Sequence, residues 1–416
     1  IQRSRGLGDV YKRQILAPTN MNSIYRKSLF NIPSGMIYLD GNSLGPPLKG
    51  IESISENVIA KEWGGKLIKG WNESNWMEQP ITVGNKIADI IGVDKDSIVA
   101  GDTLSIKTYQ ALAAAIKLNS KRHIILTDID NFPSDIYIAE GLVDSLNSKF
   151  ELKKVKRNEL ISSLNEQVNT VLLTHVDYRT GSMFDLESIT NKVHENGSTI
   201  IWDLAHSAGA VPLNLKAINC DFAVGCTYKF LNGGPGAPAF IYVRPDLIEK
   251  CYPIIRGWLG HKAPFDFNNT FEKSASIEMM RVGTPPVIQM SILEKSLDIF
   301  RDLDLHKLRE ESIKLSDLFI NMVEQTCPDL HLESPIKSSE RGSQVSFSHP
   351  SGYAIMQALI DRNIVGDFRA PNIIRFGITP LYINEEDIIQ TVKVLKDILS
   401  KRLWDTPAYL NRKKVT

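Results

Sequence analysis

Residues 199–238, TIIWDLAHSAGAVPLNLKAINCDFAVGCTYKFLNGGPGAP, restrict the fold of this chain more than any other stretch. They open on Thr199, Ile200, Ile201 and Trp202, a run too short for a helix and rich in β-branched residues, which predicts a buried parallel strand. Asp203 stands at its end, with His206 three residues on. A second run, 222–226, leads into Thr227, Tyr228 and Lys229 and then into the loop Asn232, Gly233, Gly234, Pro235, Gly236. Ligands of open α/β sheets collect beyond the carboxyl ends of the strands, so Asp203 and Lys229 are expected on one rim. Residues 239–243 then read as an antiparallel strand, because Pro238 and the glycines leave too little chain for a crossover helix.

An amine and a carboxylate on one rim are what pyridoxal 5′-phosphate (PLP) chemistry requires. The lysine holds the cofactor covalently, and an anion beside the pyridine nitrogen keeps it protonated, so the ring accepts electrons from a substrate carbanion. Taken singly, Asp203 reads equally as a helix N-cap and Lys229 as solvated surface. Taken together, with Lys229 between an apolar strand and a glycine-rich loop, they predict a crowded, water-poor place that favours nucleophilic use of the amine.

Bulk properties exclude several alternatives. The 416 residues suffice for roughly two to three domains, and 43% hydrophobic with 23% charged residues is ordinary globular composition. Lys plus Arg and Asp plus Glu both number 48, so no polyanionic partner such as nucleic acid is expected. No apolar run reaches bilayer length and no signal-like segment opens the chain, which predicts no membrane association and a cytoplasmic location. Cys220, Cys226, Cys251 and Cys327 lack CxxC spacing, and Ser198 stands where a second histidine would complete an HExxH begun by His194 and Glu195, so no metal is expected. Gly233, Gly234 and Gly236 are not a GxGxxG opening a helix, which disfavours a dehydrogenase.

DLAHSAGAVP at 203–212, GCTYKFLNGGPG at 225–236 and YLDGNSLG at 38–45 together closely resemble the kynureninases of bacterial type, fold-type I PLP-dependent enzymes of the class V aminotransferase group. The resemblance implies an α/β fold: a mostly parallel, seven-stranded-type sheet in a large domain and a smaller α+β C-terminal domain. It implies hydrolysis of L-kynurenine to anthranilate and L-alanine by cleavage of the Cβ–Cγ bond, in tryptophan degradation. Lys229 is then the cofactor-bearing lysine and the base, Asp203 the partner of the ring nitrogen, and Tyr228 a phosphate ligand and proton relay. Leu104 and Ser105 bind the phosphate, Phe132 stacks on the ring, and Pro133, Ser134 and Asp135 adjoin it, with Asp135 helping Asp203. Thr174 touches the cofactor and His206 lies near the ring oxygen. Trp258 and Thr284 reach across a homodimer interface to the neighbouring phosphate. Arg375 holds the substrate carboxylate, and Trp71, Asn42 and Ser43 line the substrate pocket.

Local chemistry offers second readings for some of these. Free N–H groups at the start of a helix predicted over 106–118 suit a phosphate, while Ser105 also reads as the N-cap of that helix. Asn42 and Ser43 suit a self-bonded turn, Trp71 suits a core, and Thr174 carries no signal alone. Arg375, between apolar neighbours in NIIRFGITPLY, needs an anion, either the substrate's carboxylate or a structural partner.

The chain divides, on this reading, into a non-native disordered segment at 1–14, a segment at 15–75 serving the small domain and dimer contacts, a PLP-binding domain at 76–300 and a small domain at 301–416. The local patterns predict strands at 36–39, 97–100, 123–127, 170–174, 343–348, 364–367 and 373–376, and helices at 49–63, 352–362 and 385–400. A long amphipathic helix capped by Asp304 runs to about Gln325. Animal kynureninases that prefer 3-hydroxykynurenine carry Ser-Asn where this chain has Gly283 and Thr284, and His at Trp71, so kynurenine is expected as substrate and its 3-hydroxy analogue as a poorer one. A cysteine desulfurase would need a cysteine on a mobile loop, and Cys327 before Pro328 reads as a helix end. A binding protein that has lost turnover is the non-enzyme alternative; the presence of Lys229, Asp203 and Arg375 speaks against it.

Overall fold

The computed structural model describes residues 24–119, 121–146 and 149–412, so the expectation for 1–14 lies outside the described residues. β1 (Ile37–Tyr38) precedes a large sheet made of β2 (Ile98–Ala100), β3 (Ile124–Asp128), β4 (Glu151–Val155), β5 (Val168–Thr174), β6 (Thr199–Asp203), β7 (Phe222–Gly225) and β8 (Phe240–Val243). Its strand order is β2-β8-β7-β6-β5-β3-β4. The β3 to β7 pairings are all parallel, and β8 runs antiparallel to both its neighbours, as the short 226–239 connection dictates.

Strand composition follows from two-sided burial. Ile200 and Trp202 of β6, and Ile124 and Leu126 of β3, face one core together with Val83, Ile87 and Ile91 of the helix Gln79–Ile91. Ile201 and Ile125 face the other, against Ala111, Leu112 and Ala115 of the helix Leu104–Leu118. Alternate side chains thus enter opposite layers, which is why these strands are apolar throughout rather than at every second residue. Gly84 lets the helix Gln79–Ile91 lie directly on β2: a Cβ there would sit 2.3 Å from the Ile98 carbonyl oxygen. Gly84→Ala is expected to cost about 1–3 kcal/mol, seen as a lower urea midpoint with an unchanged slope.

The C-terminal part carries an antiparallel sheet of order β12-β13-β10-β9, built from β9 (His331–Leu332), β10 (Gln344–Ser348), β12 (Asp367–Arg369) and β13 (Ile373–Gly377). It packs on the helices Leu305–Thr326 and Glu385–Ser400. Asp304 caps the first of these, its Oδ1 accepting from the His306 and Lys307 amides at 2.9 and 3.2 Å. β11 (Ile364–Val365) leaves that sheet to pair in parallel with β1, which fastens the turn at 40–45 beside the rim.

Three expected boundaries are corrected. The single strand expected over 364–367 is two, β11 and β12, divided at Gly366, where a Cβ would meet the Arg375 carbonyl oxygen at 2.7 Å; the bare glycine lets the chain change partners. The helix expected over 49–63 is α-helical at Ile51–Glu56 and π-helical at Asn57–Trp63. Only Val58 of the π segment is buried, so packing imposes no 3.6-residue register there. The helix expected from 106 begins at Leu104, with Thr103 in the N-cap position, so Ser105 lies in the first turn and is not the cap.

Candidate active site

Four strands end on one rim, and the residues just beyond them converge. After β3, Asn131 ties two strand ends together: its Nδ2 donates to Thr127 Oγ1 at 3.1 Å and its Oδ1 accepts the Thr174 amide at 3.0 Å. The next residue, Phe132, is thereby aimed over the rim. Pro133, with its φ already helical, starts the helix Pro133–Ser145, and Ser134 and Asp135 fall in its first turn.

Ser134 Oγ meets Ser105 Oγ at 3.1 Å, so the first turns of the two helices face each other. Two sets of free backbone N–H groups and two hydroxyls at one point make an anion cup, with Leu104 at the first position of its helix. The Ser105 hydroxyl is used across to Ser134 rather than on its own helix end.

Asp203, at the end of β6, is buried with Asp135, and their carboxyl groups hydrogen-bond each other. Burial, followed by the neighbouring Asp203 charge, pushes Asp135 well above the usual carboxylate range. Burial also raises Asp203, but the Lys229 ammonium and the Ala205 amide, 2.8 Å from Asp203 Oδ1, act in the opposite sense. The shared proton therefore resides on Asp135 and the charge on Asp203. Thr174 Oγ1 lies 3.4 Å from Asp135 Oδ2 and 3.5 Å from Asp203 Oδ2, at the waist of the pair.

Lys229 Nζ lies 5.8 Å from the Phe132 ring centroid and 5.9 Å from that of Tyr228. The loop after it is closed by bonds from Asn232 N to Lys229 O and Gly233 N to Thr227 O, both 2.9 Å, with Asn232 in the left-handed region at φ 57°. Gly45 N donates to Tyr228 O at 2.8 Å, and a Cβ on Gly45 would lie 2.2 Å from Lys229 O, so only glycine brings the 40–45 turn onto the lysine strand end. Burial and the Cys226 thiol beside it raise the Tyr228 hydroxyl, which stays a neutral phenol. His206 is buried, and burial with the Lys229, Arg375 and Arg369 charges keeps its imidazole neutral.

Two buried polar atoms of this cluster, Asp135 Oδ1 and His206 Nδ1, have no protein hydrogen-bond partner. Orphans at such depth call for a partner from a bound molecule. A flat ring whose N–H meets the Asp203–Asp135 pair and whose oxygen substituent meets His206 suits them, with an anionic arm in the Ser105–Ser134 cup. The residues present fit PLP.

The substrate-side expectations separate. Asn42 is fully buried and donates to Gln344 Oε1 at 3.1 Å, and a Cβ on Gly377 would lie 2.4 Å from its Oδ1, so it braces the turn against β13. Ser43 Oγ donates to Asp367 Oδ2 at 2.5 Å. Arg375 is buried and meets the carboxylate of Asp367, its register partner on β12. Trp71 packs edge-on against Trp76 at 5.4 Å, and none of the described contacts joins it to Lys229 or Arg375. Trp258 is 43% exposed in an edge-to-face chain with Phe265 and Phe267, and Thr284 is exposed; neither is brought to the rim within one chain by any described contact.

Asn131, Gln344, Asp367 and Arg369 were missed. For Asp367 and Arg369 a signal exists: in DFR they alternate, and so share one face of a strand. The four cysteines are buried and unpaired, and among the described residues no cluster suits a metal.

Residues 308–395 match the kynureninase C-terminal domain. The kynureninase of Pseudomonas fluorescens is 43% identical over 394 residues, covering 93% of this chain and 95% of that protein. The chain belongs to the kynureninase family. The Burkholderia mallei kynureninase is 42% identical over 395 residues, with the same coverage of both chains. Among solved structures, the kynureninase-family chain is similar to an apo cysteine desulfurase from Thermococcus onnurineus (TM-score 0.78, 16% identity, 90% of this chain and 97% of that one). It is also similar to a C-DES mutant with glycine covalently linked to its PLP cofactor (TM-score 0.77, 18% identity, 89% and 99%). These likenesses establish the fold, that of fold-type I PLP enzymes.

Proposed function

We propose that this chain hydrolyses L-kynurenine to anthranilate and L-alanine with PLP as cofactor. The observation that carries the reading is the convergence of Lys229, the Asp203–Asp135 pair and Phe132 on one rim, in a chain 43% identical to a named kynureninase. PLP, when bound, supplies the electron sink for cleavage of the Cβ–Cγ bond. Lys229 Nζ would hold the cofactor, and its amine is the group that would accept the proton from the substrate's Cα. Asp203, kept anionic by Asp135's proton, would partner the ring nitrogen, Phe132 would stack on the ring and neutral His206 would bond near its oxygen. Leu104, Ser105, Ser134 and Tyr228 hold the phosphate, and Thr174 abuts the cofactor. The neutral Tyr228 hydroxyl suits proton relay in the hydration and release steps. Arg375 anchors the substrate's α-carboxylate, with Ser43 beside it.

The experiment is direct: the purified holoenzyme is mixed with L-kynurenine and anthranilate fluorescence is followed. Fluorescence growth supports the reading, and absence of product with cofactor bound leaves only a binding module. Run on 3-hydroxykynurenine, the same assay is expected to give a lower kcat/KM, since a hydroxyl changes binding modestly where no dedicated partner meets it.

The exposed Trp258, Phe265 (62%) and Phe267 (76%) support a homodimer in which Trp258 and Thr284 complete the partner's phosphate site, with Trp71 near the substrate ring. The division at 75 and 300 and a cytoplasmic location belong to this reading; among the described residues no helix is long and apolar enough to cross a membrane. A cysteine desulfurase reading is disfavoured, because Cys327 is buried at the end of the helix Leu305–Thr326.

Asp40 gives a pH prediction. Burial and the Asp367 charge push its carboxyl up to about 7, within reach of the Arg375 and Arg369 charges. Below that pH Asp40 is neutral and the guanidinium groups attract a carboxylate; above it Asp40 ionises and opposes one. KM for kynurenine is expected to rise several-fold as pH passes upward through about 7, and Asp40→Asn to flatten the profile.

A further inference from the structure

Arg375 is the anchor assigned above to the substrate carboxylate, yet its donors are largely committed. Nε donates to Asp367 Oδ1 at 2.7 Å and Nη2 to Ser43 Oγ at 2.9 Å. Nη2 also bonds Asp367 Oδ2, and Nη1 bonds the Tyr178 carbonyl oxygen. A guanidinium has five N–H groups, so four are engaged, and the side chain is only 2% exposed. It meets an incoming carboxylate with a single remaining donor.

A second guanidinium stands beside it. Arg369 follows Asp367 by two residues on β12, hence on the same face. Its Nη2 lies 2.8 Å from Asp367 Oδ2 and 3.2 Å from Ser43 Oγ, and its Nη1 donates to Phe368 O at 2.9 Å. Among the described residues its Nε and one Nη1 hydrogen meet no acceptor, and its side chain is 37% exposed. Its charge is felt at Tyr178, His206 and Tyr228, so it lies within electrostatic reach of the rim. Asp367 is held below the usual carboxylate range by hydrogen bonding and charge from Arg375, then by Arg369, so the trio carries one net positive charge.

We propose that Arg369 is a substrate-binding residue: the α-carboxylate is received between Arg375 and Arg369, with Arg369 supplying the solvent-facing donors and Asp367 positioning both guanidinium groups. The proposal rests on the function assigned above and names the residue that discriminates amino acids from simple amines at that site.

Arg369→Met in the holoenzyme is the test. KM for L-kynurenine is expected to rise about 10- to 100-fold, the range for loss of a charge-assisted bond, with kcat altered far less. Binding of the amine that lacks the α-carboxylate, kynuramine, followed by the cofactor's absorbance, is expected to be unchanged, while binding of L-alanine weakens in parallel with KM. Arg369→Lys, which keeps the charge, should restore part of the loss. An unchanged KM and L-alanine affinity would overturn the proposal, as would an equal loss of kynuramine binding, which marks a merely structural role. If Arg369→Met does not load cofactor, Arg369→Gln takes its place and the same outcomes decide. Absence of anthranilate from the parent enzyme would instead defeat the underlying function, and the L-alanine titration still reads Arg369 by itself.

Discussion

Lys229→Ala is expected to lower anthranilate formation at least about a thousand-fold while leaving the chain folded. The substitution removes both the amine that holds the cofactor and the base for the Cα proton, so no other group inherits either task. Structural cost is small by comparison. The loop around residue 229 is closed by backbone bonds, Asn232 N to Lys229 O and Gly233 N to Thr227 O, which alanine retains. The side chain is half-buried and its contacts with Phe132 and Tyr228 are long, so stability should change by no more than about 1 kcal/mol. Steady-state rate and thermal unfolding, measured together, separate a chemical role from a structural one; turnover within ten-fold of the parent would refute the assignment.

Asp203→Asn is expected to lower kcat by about a hundred-fold or more and to weaken cofactor retention, whereas Asp135→Asn should change kcat by less than about ten-fold. The asymmetry follows from where the proton resides. Asp135 is the member pushed furthest up and already behaves as a neutral carboxyl, which an amide imitates. Asp203 carries the charge, favoured by Lys229 and by the Ala205 amide, and an amide there offers the ring nitrogen a neutral group. Stability supplies a second readout. Asp135 keeps its proton when folded and loses it above about 3.8 when unfolded, so its ionisation penalises the folded state as pH rises beyond that value. Asp135→Asn should therefore remove part of the fall in stability between mildly acidic and alkaline pH. Equal kinetic damage from the two substitutions would contradict the assignment of proton and charge.

What could be read from the sequence was local. Two apolar runs each ending in a chemically distinct residue sufficed to place Asp203 and Lys229, because strand burial on both faces and a shared rim are dictated by short-range pattern. Asp304 as a cap and the antiparallel course after Pro238 were legible for the same reason. The anion that Arg375 requires was legible, but its identity was not: Asp367 opposes it through the β12–β13 register, which depends on the break at Gly366. Ser105 was misplaced at the cap because the helix begins two residues early, and its true partner, Ser134, lies on another helix. Trp258 and Thr284 illustrate a different limit, since the resemblance assigns them contacts with a partner subunit, which the pattern of one chain does not specify.

The most direct test of the central idea maps the covalent link itself. The protein is incubated with PLP, reduced with borohydride, digested and analysed by mass spectrometry. The reduced cofactor should be found on Lys229, vanish in Lys229→Ala and be diminished in Asp203→Asn. A label on other lysines with Lys229 unmodified would contradict the account.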